Sequence, residues 1–289
     1  MPPPEGTRWP GRGYGLRSFR QVLADAIAEL SITGYVSTEQ IERWADELRR
    51  AAEYELGPDW RVDRETRAKL DALFEKIIDR GRITDYVPGV SRFDLSMVKH
   101  ALRAELDRRI LAAADLIKLH RREAVERTLQ RFRGWATAIP PGGDGTIDKR
   151  ETRASVSKSL RQLGFERRRV DIDQGYKLVS NIAEIVAQDQ GAIAAIWHDH
   201  GEHDKSYNAR KEHLARSGKL FLVRDSWAIR EGLVRRGSRP YTDDIERPGQ
   251  AVFCRCWYQW ITSPRRLPDD CLTRAGQEWV VAGRERWAA

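Results

Sequence analysis

Apolar residues recur at intervals of three and four over most of the first half of the chain. Leu16, Phe19, Val22, Leu23, Ile27 and Leu30 draw one buried helical face. The stretch "SITGY" interrupts it. Ser37 followed by Gln40 has the spacing of a capping box, and Ile41, Trp44, Leu48 and Ala52 carry the next stripe until Gly57 and Pro58 close it. A third helix is expected over 63–79, with Leu70, Leu73, Phe74, Ile77 and Ile78 inward. The longest candidate spans about 96–135, with Val98, Leu102, Leu106, Ile110, Leu111, Ala114, Ile117, Val125, Leu129 and Phe132 on its apolar side. Its other side is thick with Arg and Lys, as a solvated face or a polyanion surface would be.

The periodicity stops at "IPPGGDGT", which reads as a linker over 139–146. Beyond it, "DKRETRASVSKSLRQLG" predicts a basic helix ending at Gly164, and the stretch from Arg167 to Trp197 predicts one or two more. The character changes at Trp197. Histidines cluster, Gly and Pro rise, and the runs "KLFLV" and "AVFCRCWYQWI" have the β-branched and aromatic content of strands. The expected fold is therefore α+β and predominantly helical: an arm (1–15), a helical region (16–138), the linker, a small mixed α/β module (147–264) and a C-terminal extension (265–289).

Composition narrows the chemistry. No apolar run approaches the ~18 residues of a membrane span, and the N-terminal 15 residues lack a secretory apolar core. A reducing compartment is expected, so a structural disulfide is a poor first reading of the three cysteines. A net charge of +8, mostly from arginine, favours polyanions, although solubility alone also accounts for it. Arg167, Arg168, Arg169, Arg235 and Arg236 are the candidate phosphate contacts; a charged helix start explains the first three equally well. No phosphate-binding loop, dinucleotide-binding glycine pattern or nucleophile elbow is present.

Two cysteines stand one residue apart in "FCRCW", and four of the six histidines, His198, His200, His203 and His213, lie upstream within sixteen residues. On a strand, Cys254 and Cys256 would present both sulfurs to one face. Thiolates with imidazole suit tetrahedral zinc, so His213, Cys254 and Cys256 are the candidate ligands, with His200 or His203 as the fourth. The plainer alternative packs both thiols beneath Trp257 and Trp260, with Cys271 an unpaired bystander. A metal-dependent nuclease using the histidines from His198 to His213 is a further alternative, with Asp199, Asp204 and Asn208 nearby.

Taken in order, Trp197, Asp204, Arg210 to His213 ("RKEH"), Gly218, Arg247 to Gln250 ("RPGQ") and Cys254 to Cys256 ("CRC") resemble the phage Mu F-like minor head proteins, over roughly 150–264. The usual Asp-Gly after the histidine is replaced here by "ARSG". The resemblance implies a head morphogenesis protein without established catalytic chemistry. It would enter the procapsid near the portal, with portal, capsid or scaffold protein and packaged double-stranded DNA as partners. Its place would be the host cytoplasm during assembly and the head interior of the virion thereafter. A plain nucleic-acid-binding helical protein is the third reading. On the physical reading, the paired thiols fasten the loop holding His213, and Arg255, facing the other way, pairs with Asp243 or Asp244.

Overall fold

A computed structural model describes residues 17–32, 35–79, 82–90, 95, 97–142, 148–200 and 210–288, with 283–288 traced as helical backbone. The expected arm and residues 143–146 of the expected linker lie outside these. The fold is predominantly helical α+β, with one small antiparallel sheet. Helices α1 (Phe19–Ile32), α2 (Thr38–Leu56) and α3 (Asp59–Asp79) are followed by a 3-10 turn, Arg82–Asp85. Next come α4 (Lys99–Thr137), α5 (Lys149–Val156) and α6 (Lys158–Asp189). Then β1 (Ala194–His198), α7 (Lys211–Arg216), β2 (Leu220–Leu222), α8 (Trp227–Arg230), β3 (Trp257–Ile261) and α9 (Arg274–Ala288) complete the chain. Among the described residues no helix is long and apolar enough to cross a membrane.

The chain forms two compact units, one of residues 1–61 and 117–166 and the other of 62–116 and 167–289. This division does not follow the expected boundary: residues 139–142 fall inside the first unit, and α4 and α6 each contribute to both.

In the first unit the helical stripes meet as their spacing requires. Leu23, Ile27, Leu30, Ile41, Trp44, Leu48, Leu129 and Phe132 form one buried cluster. The Ser37 cap is reciprocal: the Gln40 N–H donates to the Ser37 hydroxyl at 3.3 Å, and the Ser37 N–H donates to Gln40 Oε1 at 2.9 Å. Two of the four free N–H groups at the helix start are thereby satisfied.

The second unit joins helical segments to the sheet, whose strand order is β2-β1-β3. Beside them, the Trp260 N–H donates to the Tyr86 carbonyl at 2.7 Å. Four expectations are corrected here. The helix does not end at Gly164; α6 runs through it, because one glycine costs only ~1 kcal/mol in a long helix. It ends instead in a Schellman motif, where Gly191 at φ 67° lets its N–H reach Gln188 O and the Ala192 N–H reach Ala187 O. Residues 194–197, expected to be helical, belong to the central strand β1, with Ala194, Ala195 and Trp197 fully buried. The C-terminal extension is no appendage: Leu267, Cys271, Leu272 and Val280 pack in one core with Ile193, Ala194, Leu222 and Ile261. Leu111, expected inward, is 63% exposed.

Candidate metal centre

The site is assembled from three short pieces of the second unit. Strand β1 ends at Trp197 and His198, and the Gly218 N–H returns to the Trp197 carbonyl at 2.8 Å, which brings α7 back over the strand end. His213 lies in α7 and is 2% exposed. The third piece is the loop before β3, and it is braced on α6. Arg247 forms an ion pair with Glu184, and the Ser180 hydroxyl donates to the Pro248 carbonyl at 2.8 Å. Gly249 has φ 79°, and a Cβ there would lie 3.0 Å from Ser180 Cβ, so glycine is required on both counts. Phe253 has φ 60°, a strained value for a bulky residue. Its N–H donates to Asp173 Oδ1 at 2.6 Å and its ring lies under the Arg169 guanidinium at 4.1 Å, which together hold the loop in that conformation.

The consequence is a convergence of three donors. His213 Nδ1 stands 3.4 Å from Cys254 Sγ and 3.7 Å from Cys256 Sγ, and all three atoms lie within 4.8 Å of one another. In a tetrahedral zinc site with bonds of ~2.3 Å to sulfur and ~2.0 Å to nitrogen, ligand atoms are about 3.5–3.8 Å apart. The spacing fits an ion bound between them, so this buried group could hold a metal.

Electrostatics prepares the same outcome. Cys254 is lowered to about 5, chiefly because the Cys256 thiol hydrogen-bonds to it, with help from the Gly249 and Cys256 N–H groups and from His213 against the cost of burial. Cys256 is pushed up by giving its hydrogen bond to Cys254, by burial and by the Cys254 charge. Ionisation is thus favoured at Cys254 and opposed at Cys256, and a thiolate at Cys254 is the form a metal binds.

Around the donors, Trp197 meets the His213 ring edge-on at 5.3 Å and Tyr258 at 5.5 Å, and Arg216 lies 5.2 Å from the indole centre. The aromatic wall excludes water from the sulfurs, which are 2% and 3% exposed as residues.

The placement of the other expected residues differs. Cys254 and Cys256 directly precede β3, and their burial continues the strand's alternation, with Cys254, Cys256, Tyr258 and Trp260 buried and Arg255, Trp257 and Gln259 only partly so. His200 does not join the group: its ring stands 5.9 Å from Tyr176. His198 stacks on Trp257 at 4.4 Å, as directly paired residues of β1 and β3 do, so His198, His200 and His213 have separate surroundings. His203, Asp204 and Asn208 lie outside the described residues.

Arg255 lies 5.8 Å from the Tyr176 ring centre, whereas Asp243 and Asp244 both pair with Arg224. Arg167 pairs with Glu65 at 2.6 Å and Arg169 covers Phe253, leaving Arg168 as the exposed member of the triplet. Arg235 donates to the Leu272 carbonyl at 3.5 Å, and Arg236 is exposed. Cys271 is a fully buried core residue.

Sequence reasoning missed Asp173 and Glu246. Asp173 sits in a helix among other charged residues, with nothing to single it out; Glu246 directly precedes the Arg-Pro-Gly element, the one local hint. Comparison of the chain with protein-family models, curated proteins and solved structures gives no match in any of the three.

Proposed function

We propose that this chain is a structural protein of tailed-phage head assembly, of the kind the Mu F-like minor head proteins represent, with its C-terminal module fastened by a zinc ion. One observation carries the reading. Of the pieces on which the resemblance rests, Trp197, Cys254 and Cys256 meet at the His213 imidazole, Gly218 is hydrogen-bonded to Trp197 and Gly249 to Cys254, while Asp204 lies outside the described residues. A sequence pattern whose members meet in space has a physical reason to occur as a pattern.

Two sulfurs and one imidazole are soft and borderline donors, which favour zinc over magnesium or calcium. Bound there, zinc would act as a cross-link between α7 and the loop before β3, supplying stability that a small sheet lacks. The expected partners are portal, capsid or scaffold protein, and packaged double-stranded DNA met without sequence choice through exposed arginines such as Arg168 and Arg236. The place of action is the host cytoplasm during assembly and the head interior afterwards. The nuclease alternative gains nothing from His198 and His200, which face Trp257 and Tyr176.

The decisive experiment co-expresses the chain with the portal, scaffold and major capsid proteins of a tailed phage and analyses the purified procapsids. The chain is expected in the particles in far fewer copies than the capsid protein, and to be lost when the portal is omitted. Particles that form normally and exclude it would overturn the proposal.

A further inference from the structure

One carboxylate at the site has no part in the readings above. Glu246 Oε2 lies 3.5 Å from His213 Nε2, the ring nitrogen opposite the one that faces the two sulfurs. The imidazole is thus held between a donor pair on its Nδ1 side and an acid on its Nε2 side.

With an ion bound between the sulfurs, this placement suits one tautomer. A neutral imidazole carries its proton on one nitrogen and a lone pair on the other, and an ion between the sulfurs needs the lone pair on Nδ1. The proton must then sit on Nε2, where the Glu246 carboxylate can accept it. In the opposite tautomer a lone pair on Nε2 would face the carboxylate, a repulsive arrangement. The acid is also anchored: Arg216 Nη1 donates to the Glu246 carbonyl at 3.5 Å, and the next residues are Arg247, paired with Glu184, and Pro248, bonded to Ser180.

We infer that Glu246 is a positioning residue of the metal centre, completing a carboxylate–histidine–metal relay in which it fixes the ring and strengthens Nδ1 as a donor. The inference rests on the reading that His213, Cys254 and Cys256 hold zinc. A contact of 3.5 Å is longer than the ~2.7–2.9 Å of a charge-assisted hydrogen bond. A cation held on Nδ1 would make the Nε2–H a stronger donor toward the carboxylate. The competing account is a surface ion pair: Glu246 is 42% exposed, and such pairs contribute about 0–1 kcal/mol to stability and would leave metal affinity unchanged.

The test uses the full chain as wild type, Glu246→Ala and Glu246→Gln. Zinc affinity is measured by competition with a chelator, and the nitrogen shifts of His213 are read by NMR in the zinc-loaded forms. Wild type should bind zinc through Nδ1 with the proton on Nε2. Glu246→Ala should bind about 10- to 100-fold more weakly, while Glu246→Gln, whose amide oxygen still accepts, should recover most of that loss. Unfolding midpoints of the metal-free forms should agree, which separates positioning from general damage. A Glu246→Ala affinity within about twofold of wild type overturns the relay and leaves the zinc reading intact. A loss that tracks unfolding of the metal-free variant also overturns the relay. Wild type that takes up no zinc overturns both.

Discussion

The helical core of the first unit and the sheet module of the second are built on opposite plans. In the former, Leu23, Ile27, Leu30, Trp44, Leu48 and Phe132 repeat one instruction many times, and each is supported by neighbours of the same kind. The module has strands of only three to five residues, which form a weak sheet by themselves. Its order is concentrated at positions without substitutes: two sulfurs and a ring, a glycine against Ser180, a glycine against Leu233. Redundancy makes one region tolerant, and singular contacts make the other exacting.

If the proposed zinc clip forms, its removal has the largest expected effect. Chelation, or Cys256→Ser, should lower module stability by about 4 kcal/mol relative to protein at a zinc concentration a thousandfold above Kd. Hydrogen exchange should show amides of β1 and β3 losing protection while those of α1 and α2 keep theirs. Equal loss in both would erase the contrast.

Next is Gly276→Ala. A Cβ there would fall 2.1 Å from the Leu233 carbonyl oxygen, which also receives the Thr273 N–H at 3.0 Å, so backbone must move. A cost of about 3 kcal/mol is expected in denaturant titrations.

The pH dependence of the metal-free protein sharpens the comparison further. Cys254 is depressed to about 5 when folded, so its contribution is absent below that pH and grows as the unfolded-state thiol, ordinarily near 8.5, approaches ionisation. Module stability should therefore rise between pH 5 and about 8.5, no more steeply than ~1.4 kcal/mol per pH unit for one proton. Above that range the raised Cys256 reverses the trend, because the unfolded chain then loses a proton that the folded one keeps. Thermal melts at several pH values check this, and Cys254→Ser should abolish the rise.

The smallest effect has the opposite sign. Gly164 lies inside α6 with nothing within 4 Å of a built Cβ, so Gly164→Ala should stabilise by about 0.5–1 kcal/mol. The same substitution thus harms at 276 and helps at 164, and melting curves of the two variants measure the difference between the plans.

Legibility in the sequence follows the same division. Helices α1, α2 and α4 and the Ser37 cap were readable because a buried helical face repeats its signal over several turns. Strand β1 was not: "AAIW" is short and alanine-rich, and it continues the small-residue composition of α6, so Gly191 was the lone sign of a break. The 265–289 segment read as an extension because Leu267, Cys271, Leu272 and Val280 follow no period, and their burial is set by contacts distant in sequence. The meeting of His213 with both thiols was legible, since few donors of that chemistry exist in the chain. The bracing of the loop before β3 on α6 was not, because the backbone turn at Phe253 and its hydrogen bond to Asp173 have no local sequence pattern.

Phe253 shows what such a turn demands of its side chain. Glycine would adopt the same backbone angle without strain, yet it would have no ring for Arg169 to cover. The loop has therefore exchanged conformational ease for a handhold on α6, and a ring that carries no chemistry of its own ties the cysteine segment to that helix.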